Sequence, residues 1–373
     1  MKSQMQIKAE EALAEAGGNK TRAAKILGIS RAALRTHLER AAKRDAAPEG
    51  VKEAVEATGL DHGVARHGWR IIPRDDGGRD SVFWKAEHSA ARTDDIAESL
   101  KEALADIPPA KIAPPPESVS EDHVVLIPIA DLHTGMMAWA KETGENYSTR
   151  VAADRLVTWA GMITAALPRS CECTLLFNGD TTHADDQTNA TPRSRHVLDV
   201  DTRHFRTLDL LLQAIVTTAD ASLLWHATVR IVIKPGNHDP TSYMALVFAL
   251  RAHYRDEPRV TVDETPGEFW ALRFGKVMLM SHHGHKAKPR DLVLGLAAEF
   301  PQMWGQTTYR YLWTGHLHHL KQDDIGGVQW EQSRAAASRD AHAASHPYPA
   351  RPEIQGVVYH KTRGETQRFR VTV

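Results

Sequence analysis

Cysteine is nearly missing: Cys171 and Cys173 are the only two among 373 residues. Their C-x-C spacing is too short for an ordinary disulfide and supplies half a zinc site at best, so no disulfide framework or cysteine–zinc cluster organises the chain. So low a count suits a reducing compartment, and the cytoplasm is the expected location. Long apolar runs are missing too. Nothing approaches the roughly 18 consecutive apolar residues of a membrane helix, and the N-terminus is charged and Ala-rich rather than signal-like, so no membrane partner is expected. Charge of one sign does not dominate either. Lys and Arg number 46 against 47 Asp and Glu, a formal net charge of −1. No global basic field announces nucleic acid, and any such contact must come from a local patch. What is present is an ordinary globular composition, 42% hydrophobic and 25% charged, on a chain long enough for two or three domains. Histidine is the exception, at 21 residues clustered in a few short segments.

Along the chain, residues 1–45 read as a small helical unit. A helix-forming run around 10–16 stops at Gly17-Gly18; Asn19 caps a second helix over 21–27 that ends at Gly28; Ser30 caps a third over 31–44. Ala23, Ala24, Ile26, Leu27, Ile29, Leu34 and Leu38 recur at spacings that could form one shared core. Residues 46–106 read as a small α+β region: helix at 50–60, two strands at 69–72 and 81–84 flanking Asp75-Asp-Gly-Gly78 as a β-hairpin, and helix at 94–105. Residues 107–120, with Pro108-Pro109 and Pro114-Pro-Pro116, form a stiff linker. From 121 to 373 the pattern changes to apolar strands at 124–129, 173–177, 229–233, 276–280 and 309–313, with helices at 152–167 and 204–219 and closing strands near 355–360 and 367–373. This is α/β architecture.

Each of those five strands ends at a polar motif: Asp131-Leu-His133, Asn178-Gly-Asp180, Gly236-Asn-His-Asp239, His282-His-Gly-His285 and Gly315-His-Leu-His318. As candidate ligands they offer two carboxylates, Asp131 and Asp180, one amide, Asn237, and several imidazoles. Two divalent cations sharing a carboxylate can grip a phosphate and acidify a water. Mixed His, Asp and Asn ligands suit manganese, iron or zinc better than calcium. Alone, an Asp-x-His or Gly-Asp at a strand end is an ordinary turn; five such segments in this order are not.

The order resembles the calcineurin-like metallophosphoesterase superfamily, with its D-x-H, G-D, G-N-H-[D/E], His-bearing and G-H-x-H segments, over residues 122–320. The resemblance implies a β-sandwich flanked by helices and two divalent metal ions, manganese first, with iron or zinc as alternatives. It assigns Asp131, His133 and His318 to one metal, Asn237, His316 and one histidine of 282–285 to the other, and Asp180 to both. Where relatives place the ligand just before a Gly, the match is His283, leaving His282 directed into the sheet and His285 towards substrate. His238 would donate a proton to the leaving oxygen or stabilise the phosphate, with Asp239 orienting it.

The Asp180-x-x-His183 spacing is similar to the SbcD-like repair-nuclease branch, in which the extra histidine positions the scissile phosphate. His183, and the basic Arg193, Lys286 and Lys288, are then substrate-side candidates. Little sequence beyond 320 could build that branch's capping domain. The segment 17–35 resembles the Fis-type helix-turn-helix, which would present Arg31, Arg35, Thr36 and His37 to the major groove, with homodimerisation strengthening a weak single module. Such a head joined to a two-metal domain resembles phage or prophage proteins. The expected function is therefore a metal-dependent phosphodiesterase, a DNA nuclease or exonuclease. The rivals are a phosphomonoesterase or small-molecule phosphodiesterase, and a DNA-binding regulator or phage structural component with an inactive metal site.

Overall fold

The structure is a computed structural model that describes residues 4–45, 67–73, 79–85, 110, 114–345 and 351–373. The chain divides into two compact units, Met1–Ser99 and Leu100–Val373. The helices expected at 50–60 and 94–105, the hairpin turn at 74–78 and most of the Pro-rich linker lie outside the described residues.

In the first unit three helices, α1 (Gln4–Glu15), α2 (Lys20–Leu27) and α3 (Arg31–Asp45), follow the capping signals. The Asn19 side chain accepts from Arg22 N, the Ser30 hydroxyl from Ala33 N, and Gly28 closes α2 in the left-handed region at φ 65°. The core is small and alanine-rich: Ala9, Ala12, Ala16, Ala23, Ala24 and Leu34, flanked by Leu13, Leu27, Ile29 and Leu38. Small side chains let the three helices approach closely. Ile26, expected in this core, is instead 44% exposed, because it falls on the outer face of a two-turn helix. Strands β1 (His67–Pro73) and β2 (Arg79–Lys85) pair antiparallel, as the hairpin pattern requires.

The second unit is a four-layer mixed α/β sandwich. One sheet has six strands: β3 (Ser120–Ile129), β4 (Ser170–Asn178), β5 (Thr228–Lys234) and β6 (Val260–Val262) run parallel, β12 (Glu353–His360) lies antiparallel beside β3, and β13 (Gly364–Thr372) pairs antiparallel with β12 at the edge. The other has five, in the order β10 (Lys321–Ile325), β11 (Val328–Gln332), β9 (Tyr309–Thr314), β8 (Val277–Ser281), β7 (Trp270–Phe274). Burial on both faces explains the continuous apolar runs. Val125, Ile127, Ile129, Leu175, Phe177, Ile231 and Ile233 face α5 (Thr149–Ala166), α6 (His204–Leu223) and α7 (Tyr243–His253). Alternate residues Val124, Leu126, Leu176 and Val232 meet Trp270, Leu279, Tyr311 and Trp313 between the sheets. The far side of the five-stranded sheet packs on α8 (Pro289–Glu299) through Met278, Met280, Leu312, Leu292 and Leu296, with α9 (Pro301–Gln306) beyond. Short helices α4 (Ala140–Thr143) and α10 (Ala341–Ala344) complete the unit. No helix of the described residues is long and apolar enough to cross a membrane.

The registers Ile129↔Phe177 and Phe177↔Ile233 bring the ends of β3, β4 and β5 level, and Ser281↔Trp313 does the same for β8 and β9. The two rims are tied at the Asn178 side chain, whose Nδ2 donates to the Trp313 carbonyl at 3.1 Å. The five motifs therefore share one rim although they belong to two sheets.

Candidate metal centre

Five residues of these motifs, Asp131, His133, Asp180, His316 and His318, have positive φ, between 43° and 74°. Only two other non-glycine residues of the described chain do so, Asn189 and Arg195. Asp and His tolerate this region better than most types, but each instance still costs free energy and needs surrounding structure to impose it. That structure is a set of backbone straps. Asp131 N donates to Gly179 O, His133 N to Asp180 O, Gly315 N to His283 O and Ala337 N to Asp131 O. The Asp131 carboxylate accepts from His316 N with both oxygens, at 3.1 and 3.0 Å.

The side chains so held converge in two groups that could hold a metal ion, Asp131, His133 and His318, and Asp180, His283 and His316; His133, His183 and His238 form a third, all-histidine group. In the first, His133 Nε2 and His318 Nε2 lie 3.2 Å apart and Asp131 Oδ1 is 3.3 Å from His318 Nε2. In the second, Asp180 Oδ2 is 3.1 Å from His283 Nε2, and Asn237 Oδ1 is 3.3 Å from the same nitrogen. Asp180 Oδ2 also lies 4.0 Å from His133 Nε2, so one carboxylate oxygen faces both groups. Glycines make the approach possible. A Cβ on Gly236 would sit 2.0 Å from Asp180 Oδ1, and one on Gly315 would sit 2.6 Å from Asp131 Oδ2. Imidazoles and carboxylates aimed at common points, with Asp131, His133, Asp180 and His283 buried and His316 and His318 partly exposed, are the donor chemistry of manganese, iron or zinc sites.

Among the 282–285 histidines the geometry separates three positions. His283 donates from Nδ1 to the Asn178 carbonyl at 2.8 Å, which fixes the ring with Nε2 turned towards Asp180 and Asn237. His282 is buried and pairs with Glu268 at 3.1 Å. His285 stands half-buried beside the rings of His283 and His316, with Nδ1 lacking a hydrogen-bond partner.

Electrostatics follow from burial and pairing. Burial opposes ionisation of Asp180, but His283 overcomes it and holds the carboxyl well below its usual range. Burial likewise opposes charge on His283, and the Asp180 carboxylate reverses the balance, raising it to about 10. Burial drives His133 well down, pushes His183 to about 3 and lowers His285 to about 4.

Asp239 does not orient His238. Its two oxygens take four backbone N–H groups: Gly236 N at 2.7 Å and Asp180 N at 3.1 Å on Oδ1, Thr181 N at 2.7 Å and Thr182 N at 3.2 Å on Oδ2. It is a staple between two motif loops. The His238 ring is fixed instead through Nδ1, which donates to the His183 carbonyl at 2.8 Å, while His238 N donates to Asp180 Oδ1. His183 itself is buried, with Nδ1 3.2 Å from His133 Nδ1.

The basic candidates stand apart from this cluster. Lys286 is ion-paired with Glu268, which neutralises its charge locally. Lys288 is exposed at the N-cap of α8, and Arg193 is exposed on the 184–203 loop. Acids of that loop serve the fold: Asp185 Oδ1 accepts from Thr241 N and Ser242 N, and Asp201 accepts from Thr149 N and its hydroxyl. Arg31, Arg35 and Thr36 are exposed on α3 and His37 is half-buried. Sequence reasoning missed the Asn178 carbonyl and Glu268. The first is a backbone group with no sequence signal, the second an isolated acid.

Residues 10–40 match the family model of bacterial regulatory proteins of the Fis family. No curated protein matches the chain. Among solved structures it is similar to zinc-complexed Vps29 from Entamoeba histolytica (16% identity, 66% of this chain and 98% of that one, TM-score 0.29). It is also similar to a predicted phosphoesterase from Streptococcus pneumoniae (12%, 68% and 100%, TM-score 0.27). A third is an archaeal phosphodiesterase (9%, 67% and 99%, TM-score 0.34).

Proposed function

We propose that the unit 100–373 is a two-cation phosphoesterase that hydrolyses phosphodiester bonds of DNA in the cytoplasm, and that the segment 1–45 binds the same polymer. The observation that carries this reading is the position of Asp180 Oδ2, 3.1 Å from His283 Nε2 and 4.0 Å from His133 Nε2, facing both donor groups at once. Asp131, His133 and His318 would hold one cation, and Asn237, His283 and His316 the other. Two divalent cations, manganese before iron or zinc, supply positive charge to the phosphoryl oxygens and lower the pKa of a nearby water.

The remaining work falls to the chain's own groups. His238, with Nδ1 committed to the His183 carbonyl, has Nε2 left for a proton delivered to the leaving oxygen. His285 offers the partnerless Nδ1 to a phosphate oxygen. Lys288 and Arg193 would follow a polymer backbone outside the site; Lys286 would do so only after leaving Glu268. Support for DNA as the polymer comes from the Fis-family match and from exposed Arg31 and Arg35 on the third helix.

The test is hydrolysis of bis-nitrophenyl phosphate and of single- and double-stranded DNA by the full chain loaded with manganese. Asp180→Asn is expected to lose more than the ten- to hundredfold, roughly, that follows removal of a group that only orients ligands. A metal-loaded chain that cleaves neither diester overturns the proposal. Preference for nitrophenyl phosphate with no competition by DNA moves it to a monoesterase.

A further inference from the structure

His183 belongs to neither of the two groups that Asp180 faces; it stands with His133 and His238 in the third, all-histidine group. Its N donates to Thr134 O at 2.9 Å, its carbonyl accepts from His238 Nδ1 at 2.8 Å, and its own Nδ1 lies 3.2 Å from His133 Nδ1. Its ring stacks on that of His238, centroids 5.3 Å apart and planes 17° from parallel. It is 3% exposed. Its Nδ1 is spent on a neighbouring imidazole, so only Nε2 of this buried ring is left for any substrate contact.

The direction of that bond follows from the far side of His133. His133 turns Nε2 towards Asp180 and His318. If Nε2 offers its lone pair there, the ring proton sits on Nδ1, which must then donate. The acceptor within reach is His183 Nδ1, so His183 carries its own proton on Nε2. One residue thus fixes two others: its side chain sets the tautomer of His133, and its backbone sets the tautomer and plane of His238.

We propose that His183 is a positioning residue, which selects the Nδ1–H tautomer of His133 so that Nε2 is presented as a ligand, and does not contact substrate. This rests on the two-cation reading above, but its primary measurement does not require a cation or turnover.

The experiment uses the full chain with selectively ¹⁵N-labelled histidine. Two-bond ¹H–¹⁵N correlation in chelator gives the tautomer of His133, assigned by its loss in His133→Gln. The parent is expected to show His133 protonated at Nδ1. His183→Leu, which removes the acceptor, is expected to give a mixture of tautomers. His183→Asn, which places an oxygen where Nδ1 stands, is expected to restore the single form and also checks that the fold tolerates substitution. Manganese titration should then show affinity weakened about ten- to hundredfold in His183→Leu and recovered in His183→Asn. In turnover, kcat falls with KM for bis-nitrophenyl phosphate unchanged. An Nε2–H tautomer in the parent, or a KM effect with unaltered manganese affinity, overturns the inference and returns His183 to the substrate side. A chain that binds no manganese but shows the tautomer shift sinks the phosphoesterase reading and leaves the positioning role standing.

Discussion

Asp239 gives the sharpest test of the structural reasoning, because it separates a staple from a reactive group. Both its oxygens are used, two backbone N–H groups on each, with the residue wholly buried. Bonds to a charged acceptor contribute about 1.5–3 kcal/mol each, so four would sum to about 6–12 kcal/mol, as much as a whole domain's net stability. That sum overshoots, since burying the carboxylate itself costs several kcal/mol. Burial and the neighbouring Asp180 push its pKa up to about 6, which expresses that cost. Asp239→Asn removes one acceptor oxygen and turns an amide NH₂ towards two N–H donors. Two unsatisfied buried N–H groups cost about 1–3 kcal/mol each, so the expected loss is about 2–6 kcal/mol.

Asp185→Asn is the matched control. Only Oδ1 of Asp185 is engaged, by Thr241 N and Ser242 N, and the amide keeps an oxygen for them. Its expected cost is under about 1 kcal/mol. The assay is urea unfolding at pH 7 followed by fluorescence of the buried Trp270 and Trp313, in chelator so that bound cation adds nothing to the folded state. With an m-value of about 3 kcal/mol/M, Asp239→Asn should lower the midpoint by about 0.7–2 M. Equal shifts for the two variants would refute the staple argument, and a near-silent Asp239→Asn would do so more strongly.

Two other outcomes follow from the same geometry. Gly236→Ala would set a Cβ 2.0 Å from Asp180 Oδ1 and 2.3 Å from Asp180 N, so one motif loop must shift; a displacement near 1 Å should lower diester hydrolysis about 100-fold, with the second equivalent of manganese weakened in calorimetry. His226 accepts from Ser170 N through Nδ1 and is held down to about 4 by burial, so it folds neutral. The unfolded chain binds the extra proton between pH 6.5 and about 4, so this contribution is complete above 6.5 and drains away on acidification, by up to about 1.4 kcal/mol per pH unit. His226→Asn, which keeps an acceptor for Ser170 N, should flatten the acid limb of a stability–pH profile; an unchanged slope would count against it.

The strands that carry the motifs were legible because each is a continuous apolar run ending in a polar turn, and a strand buried on both faces has that signature. The helices over 149–166 and 204–223 carried the complementary period. Strands β10 and β11 were not legible. Lys321–Ile325 is mostly exposed and charged, and its place at the sheet edge depends on pairing with Val328–Gln332 rather than on its own pattern. The side chains that converge could be named from their order in the sequence, whereas their supports could not. The Asn178 and His183 carbonyls and the backbone N–H groups on Asp239 are main-chain atoms, identical in every residue type, and only the tertiary fold aims them. That is also why Asp239 read as an orienter of its neighbour: adjacency in sequence says nothing about which way two consecutive side chains of a loop turn.

The positive φ angles bear on how such a site persists. Five non-glycine residues in the left-handed region cost about 1 kcal/mol or more each, a sum comparable with the net stability of a domain. Glycine would remove the strain at any of them, yet none of the five positions carries it. Each needs its side chain at the rim, so the conformation must be imposed from outside the residue. The straps do this across elements: Asp131 to the 179 and 316 loops, His133 to Asp180, Asp239 to the turn at 180–182. Apart from the one from Ala337, these straps join a loop that supplies donors to another loop that does so, so the donor groups are set against one another by hydrogen bonds that need no cation. The strain is therefore a property of the folded chain before any ligand arrives, and binding there meets side chains whose orientation entropy the fold has already removed.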